Sequence, residues 1–135
     1  MAENRNTYYC PACSASLSIG NNVVLTVKKE NGEGGIIFLD SKLGDYTKVK
    51  HSSLLFEEGE RVFLHCPVCR KDLLCIPDYN LARLMMKDEN EEYLTVLFSV
   101  IYGKEITLVI KDKMVHKKYG KHHDEINFEN LSFCK

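Results

Sequence analysis

The chain has no tryptophan and only three prolines, and two of these, Pro11 and Pro67, sit inside short cysteine motifs. It also has almost no net charge, with 18 lysines and arginines against 19 aspartates and glutamates. That balance argues against a protein held to nucleic acid or membrane mainly by its overall field. Long apolar runs are missing too. The longest, Leu94 to Tyr102, is broken by Thr95 and Ser99. It suits a strand and falls short of the roughly 18–20 residues that span a bilayer. The first ten residues hold no apolar segment of the kind a secretory signal needs. These absences lead to the expectation of a soluble, cytoplasmic protein with no membrane partner.

Reaction motifs are lacking as well. Gly32-Glu33-Gly34-Gly35 is not followed by a Lys-Ser/Thr pair or a clear helix, so it reads as a turn and not as a phosphate cradle. No GxSxG or HExxH occurs. Ser52 and Ser53 beside His51 form no recognisable nucleophile arrangement. The expectation is a protein that is not an enzyme.

What is present is a chain of 135 residues, 44% of them apolar. That is the length and composition of one globular domain, taken here as residues 1–135. Strand signals dominate. Val23, Leu25 and Val27 alternate with Val24, Thr26 and Lys28, the period of a half-buried strand. An acidic, glycine-rich turn follows, and Ile36 to Leu39 resumes as a strand. Ser53–Phe56 and Arg61–His65 flank Glu57-Glu58-Gly59-Glu60 and predict a hairpin. Leu94, Val96, Phe98 and Val100 alternate, as do Ile106, Leu108 and Ile110. Met114 to Tyr119 follows a last turn, and the polar tail from Gly120 is expected to be poorly ordered. The fold class is all-β, with a core drawn from Leu25, Phe38, Phe63, Leu94, Phe98 and Leu108.

Self-comparison suggests an internal repeat. Cys10-Pro11-Ala12-Cys13 with Leu17 matches Cys66-Pro67-Val68-Cys69 with Leu73. After a short gap Leu25 falls on Leu84, Lys28 on Lys87, Glu30 on Glu89, Asn31 on Asn90, Glu33 on Glu92 and Gly44 on Gly103. Unit one covers about 8–65, unit two about 66–119, and the tail 120–135. The alignment also settles Leu81 to Lys87, which fits either a helix or a strand, as a strand.

Cys10, Cys13, Cys66 and Cys69 form the two CxxC pairs. A CxxC turn presents both thiolates to one ion, and two such knuckles complete a closed tetrahedral site, the usual structural zinc geometry. Proline after the first cysteine fixes φ and preorganises the turn. Here the sequence resembles the zinc-ribbon class, whose CPxC knuckles sit on β-hairpins. The resemblance covers the knuckles and their flanking strands, and it implies one structural zinc on Cys10, Cys13, Cys66 and Cys69. The chain departs from that class in two ways. Ser14 and Arg70 stand where many ribbon knuckles carry glycine, and the spacer from Ser14 to His65 is longer than the roughly 15–20 residues of a compact ribbon. Iron would fit the same four thiolates. A thioredoxin-like dithiol should open a helix, and no helical pattern follows either motif.

The remaining candidates read as structural. Cys75 lies in the apolar run Leu73 to Ile76 and suits the core as a buried thiol. Cys134 reads as an exposed thiol near the end. His65 reads as a strand residue beside the metal site. His122 and His123 could hold a transition metal only loosely. Lys111 to His123 is basic and could contact phosphates, with Tyr119 as a stacking partner. The function expected is a zinc-binding, non-enzymatic module that recognises another protein through β edges or knuckle tips. The alternative is a nucleic-acid-binding ribbon protein that uses segment 111–123.

Overall fold

The computed structural model describes residues 6–46, 48–50 and 53–126. Eleven strands run through them in chain order: β1 (Thr7–Tyr9), β2 (Ser18–Ile19), β3 (Asn22–Lys28), β4 (Gly34–Asp40), β5 (Lys48–Lys50), β6 (Phe63–His65), β7 (Leu74–Ile76), β8 (Leu81–Lys87), β9 (Tyr93–Ser99), β10 (Thr107–Lys111) and β11 (Met114–Tyr119). The only helical pieces among the described residues are two three-residue 3-10 turns, Pro77–Tyr79 and His123–Glu125. No helix there is long and apolar enough to cross a membrane.

The strands form two antiparallel sheets. One runs β2-β3-β4-β5, with β6 also on β3; the other runs β1-β8-β9-β10-β11, with β7 also on β8. Alternation along the strands explains why the sheets stack. In β3, Val23, Leu25 and Val27 are buried while their neighbours are not. They pack in one apolar core with Leu84 and Met86 of β8 and Leu94 and Val96 of β9. Each strand turns one side to the other sheet because a strand's side chains alternate between its two faces.

The sheets are laid out alike. β3 pairs with β4 and β4 with β5; β8 pairs with β9 and β9 with β10. Phe38 lies opposite Val49, and Leu97 lies opposite Leu108. Each strand that leads into a cysteine pair, however, joins the sheet that follows the other pair. β1 pairs with β8, with Tyr8 opposite Met86, and β6 pairs with β3, with Leu64 opposite Val27. The strands leading into the two cysteine pairs are thus crossed between the sheets.

Three sequence expectations are corrected. The 53–56/61–65 hairpin does not form. Leu54 is buried without being in a strand, and Arg61 instead makes an isolated bridge to Ile101. Phe38 faces outward, because it shares a side with exposed Ile36 and not with buried Ile37. Of the tail, the described part, Gly120 to Ile126, docks: the His122 amide donates to the Glu105 carbonyl at 3.0 Å, and Ile126 is buried. Ile126 joins a second apolar cluster with Leu81, Leu97 and Leu108. Leu25, Leu94 and Leu108 are buried as expected, while Phe63 and Phe98 are partly covered.

Candidate metal centre

Each cysteine pair lies between two strands, Cys10 and Cys13 between β1 and β2, Cys66 and Cys69 between β6 and β7. The two turns are built by the same hydrogen bonds. The Ser14 amide donates to the Cys10 carbonyl at 2.9 Å, and the Arg70 amide to the Cys66 carbonyl at 2.8 Å. The Cys10 amide donates to the Ala15 carbonyl, and the Cys66 amide to the Lys71 carbonyl. To close in this way the residue after each second cysteine takes a left-handed conformation, with φ of 64° at Ser14 and 65° at Arg70. These are the positions where glycine was expected. A side chain is tolerated there at a cost of about 1–2 kcal/mol.

Amides also point at the sulfurs. Ala12 and Cys13 N–H groups donate to Cys10 Sγ at 3.3 and 3.5 Å, and Val68 and Cys69 N–H groups to Cys66 Sγ at 3.3 and 3.4 Å. Such donors favour a thiolate over a thiol. Burial opposes ionisation of Cys10, but the Cys13 and Ala12 amides outweigh it and bring its thiol down to about 7. At Cys13 the Ala15 amide favours the thiolate. Loss of solvent and the bonds to Cys10, Cys66 and Cys69 outweigh that and raise the group to about 11.

The strand exchange carries the two knuckles to one place. The four Sγ atoms all lie within 4.8 Å of one another. Cys10 Sγ and Cys69 Sγ are 3.7 Å apart, and Cys13 Sγ and Cys66 Sγ are 3.8 Å apart. A tetrahedral zinc with arms of about 2.3 Å puts its sulfurs roughly 3.8 Å apart, so the donor set fits a four-thiolate ion. Cys10 and Cys66 are buried, and Cys13 and Cys69 are exposed. All four cysteines named from the sequence are therefore brought together.

Among the described residues no other group of three potential ligands gathers in this way. His65 lies in β6, opposite Thr26, outside the cluster. His122 Nδ1 accepts the Glu105 amide at 3.0 Å, and His123 Nδ1 lies 3.1 Å from Asp124 Oδ1, so the two rings serve different partners. Cys75 is buried as expected, but in a disulfide and not as a free thiol. Cys134 lies outside the described residues. Within the basic segment, His116, Lys117 and Lys118 are exposed on β11. Lys111 is paired with Glu92 at 3.0 Å, and Tyr119 packs on the core, where it abuts Gly44.

Sequence reasoning missed the amides of Ala12 and Val68, because backbone donors leave no mark in residue type. The left-handed residues were visible only as departures from glycine. No protein-family model matches the chain, and comparisons with curated proteins and with solved structures found no match.

Proposed function

We propose that the chain is a zinc-binding, non-enzymatic module that recognises another protein. On this reading it is a duplicated CPxC unit whose two halves share one structural ion. Four thiolates fill the coordination of a tetrahedral metal and leave no position for substrate, as in sites whose role is to hold a fold.

One observation carries the recognition reading. Leu97 and Leu108 face each other on the outer side of their sheet, and both are 0% exposed. Phe38 and Val49 occupy the matching places in the other sheet, where Val49 is 57% and nearby Ile36 53% exposed. The same side of the same layout is covered in one half and bare in the other. The bare face ends at β5, the last strand of its sheet, so a partner could meet both apolar side chains and a strand edge.

The test uses the zinc-loaded full chain as bait in nuclease-treated lysate, followed by reconstitution with each purified candidate. A partner lost by Ile36→Glu with Val49→Glu, and kept by Met114→Glu on another face, is the expected result. The alternative of nucleic-acid binding rests on exposed His116, Lys117 and Lys118. It would be favoured by salt-dependent RNA or single-stranded DNA binding that Lys117→Glu with Lys118→Glu abolishes. Metal analysis of protein purified without added zinc should find about one zinc per chain. Iron in its place would correct the cofactor.

A further inference from the structure

Between the sheets lies a cavity of about 110 Å³, walled by Val23 and Ile37 from one sheet and by Leu84, Val96 and Phe98 from the other. None of the four metal-site cysteines lines it. Its mouth lies beside the side chains of Tyr46 and Lys48, because neighbouring surface depressions share Tyr46 with it, and one shares Lys48 and Tyr102 as well.

The polar groups around this mouth are mostly satisfied. Tyr8 Oη donates to the Ser41 carbonyl at 2.7 Å, and Tyr46 Oη and Thr107 Oγ1 share a hydrogen bond of 2.8 Å. Asp40, also in the lining, accepts the Lys42 amide through Oδ1 at 2.8 Å. Lys48 differs. Its Nζ donates to the Tyr46 carbonyl at 3.1 Å and lies 5.6 Å from the centre of the Tyr102 ring. It forms no ion pair among the described residues. An ammonium carries three donors, so two remain. Burial works against its charge, and Glu105 and Glu58 offset this only in part. A contacting anion would relieve that state.

We propose that this cavity binds a small apolar monocarboxylate, with its hydrocarbon tail between the sheets and its carboxylate on Lys48. The walls accept hydrocarbon and offer a charged tail nothing. An apolar cavity of about 150 Å³ holds one benzene, so this smaller one suits a tail of about four or five carbons. Three lysines border the cavity: Lys42 is exposed to water and Lys104 is paired with Glu125, which leaves Lys48 as the partly buried cation without an ion pair, placed where the head of such a molecule would lie. The site is independent of the proposed metal and partner, and neither is needed for its test.

The test follows the Leu and Val methyl resonances of the folded full chain during titration with pentanoate and, separately, with 1-pentanol. Pentanoate is expected to move the Leu84 and Val96 methyls saturably. Lys48→Met should weaken pentanoate by about tenfold or more, the loss of a charge-assisted bond, and leave 1-pentanol unchanged. Leu43→Trp, at the partly buried rim, should block both. Both variants are checked for wild-type amide spectra. Should Lys48→Met fail that check, the wild-type preference for pentanoate over 1-pentanol decides alone. Unmoved methyls, equal affinity for the two probes, or indifference to Lys48→Met in a folded variant would overturn the proposal.

Discussion

Tyr8 lies opposite Met86 in the register of β1 and β8, so the strand leading into the first cysteine pair is built into the sheet that follows the second. Leu64 opposite Val27 is the return exchange. Between these two crossings the four sulfurs meet. The geometry of the candidate metal centre is thus a product of sheet pairing, and the pairing is in turn fastened at the knuckles.

Removing metal should therefore cost fold stability. If zinc is bound, a free concentration 1,000-fold above its dissociation constant contributes about 4 kcal/mol. In a chain of this size that is worth roughly 10 °C or more in midpoint temperature. Calorimetry with and without chelator checks this, and Cys66→Ser should lose metal and stability together. Acid should have the same effect, because protons compete with the ion for thiolates. Metal release measured by a chromogenic chelator should accompany unfolding as pH falls.

Glycine at the two left-handed knuckle positions should stabilise the protein. Ser14→Gly or Arg70→Gly relieves about 1–2 kcal/mol of backbone strain and adds about 0.4–1 kcal/mol of unfolded-chain entropy cost. The net expectation is a gain of about 0.5–1 kcal/mol each in denaturant unfolding. Ser14→Val should move the other way, since a β-branched residue is poorly suited to positive φ.

Gly120 and Gly59 both have positive φ, of 96° and 85°, but their surroundings differ. A Cβ on Gly59 meets nothing within 4 Å, whereas one on Gly120 would be driven into the Glu105 carbonyl and the Tyr46 hydroxyl. Gly59→Ala should cost about 1–2 kcal/mol from conformation alone. Gly120→Ala adds a clash with backbone, for a total of about 2–4 kcal/mol. Equilibrium unfolding of the two variants side by side tests whether the segment after β11 is docked in solution.

The two outer sheet faces should respond differently to substitution. Leu97→Ala and Leu108→Ala create cavities and should each cost about 2–5 kcal/mol. Val49→Thr and Ile36→Thr, at exposed sites, should stay within about 0.5 kcal/mol of the parent chain. A large loss at Val49 would mean that its face is already covered, which would remove the support for partner recognition there.

The strands were legible where apolar and polar residues alternate, as in Val23–Lys28, and the four clustered cysteines were legible because tetrahedral thiolate coordination demands that spacing. Leu81–Lys87 was resolved only by alignment with the first unit. Phe38 was misassigned because two faces of a sheet can both be apolar, and alternation does not say which one is inward. The 53–56 hairpin was misread because turn residues mark a bend without naming the strand's partner. Lys48 was invisible as a candidate, since a lysine in a short strand looks like edge protection until the walls around it are seen.

The crossing of β1 into the far sheet has a consequence for how the molecule comes apart. The sheet of β7–β11 takes β1 from the opposite end of the chain, so the second half cannot be finished ahead of the first. Opening one knuckle strips a strand from the sheet across the core, and that sheet's loss loosens the second knuckle. Heat and denaturant should both report a single cooperative transition, with no stage at which half the protein stands alone.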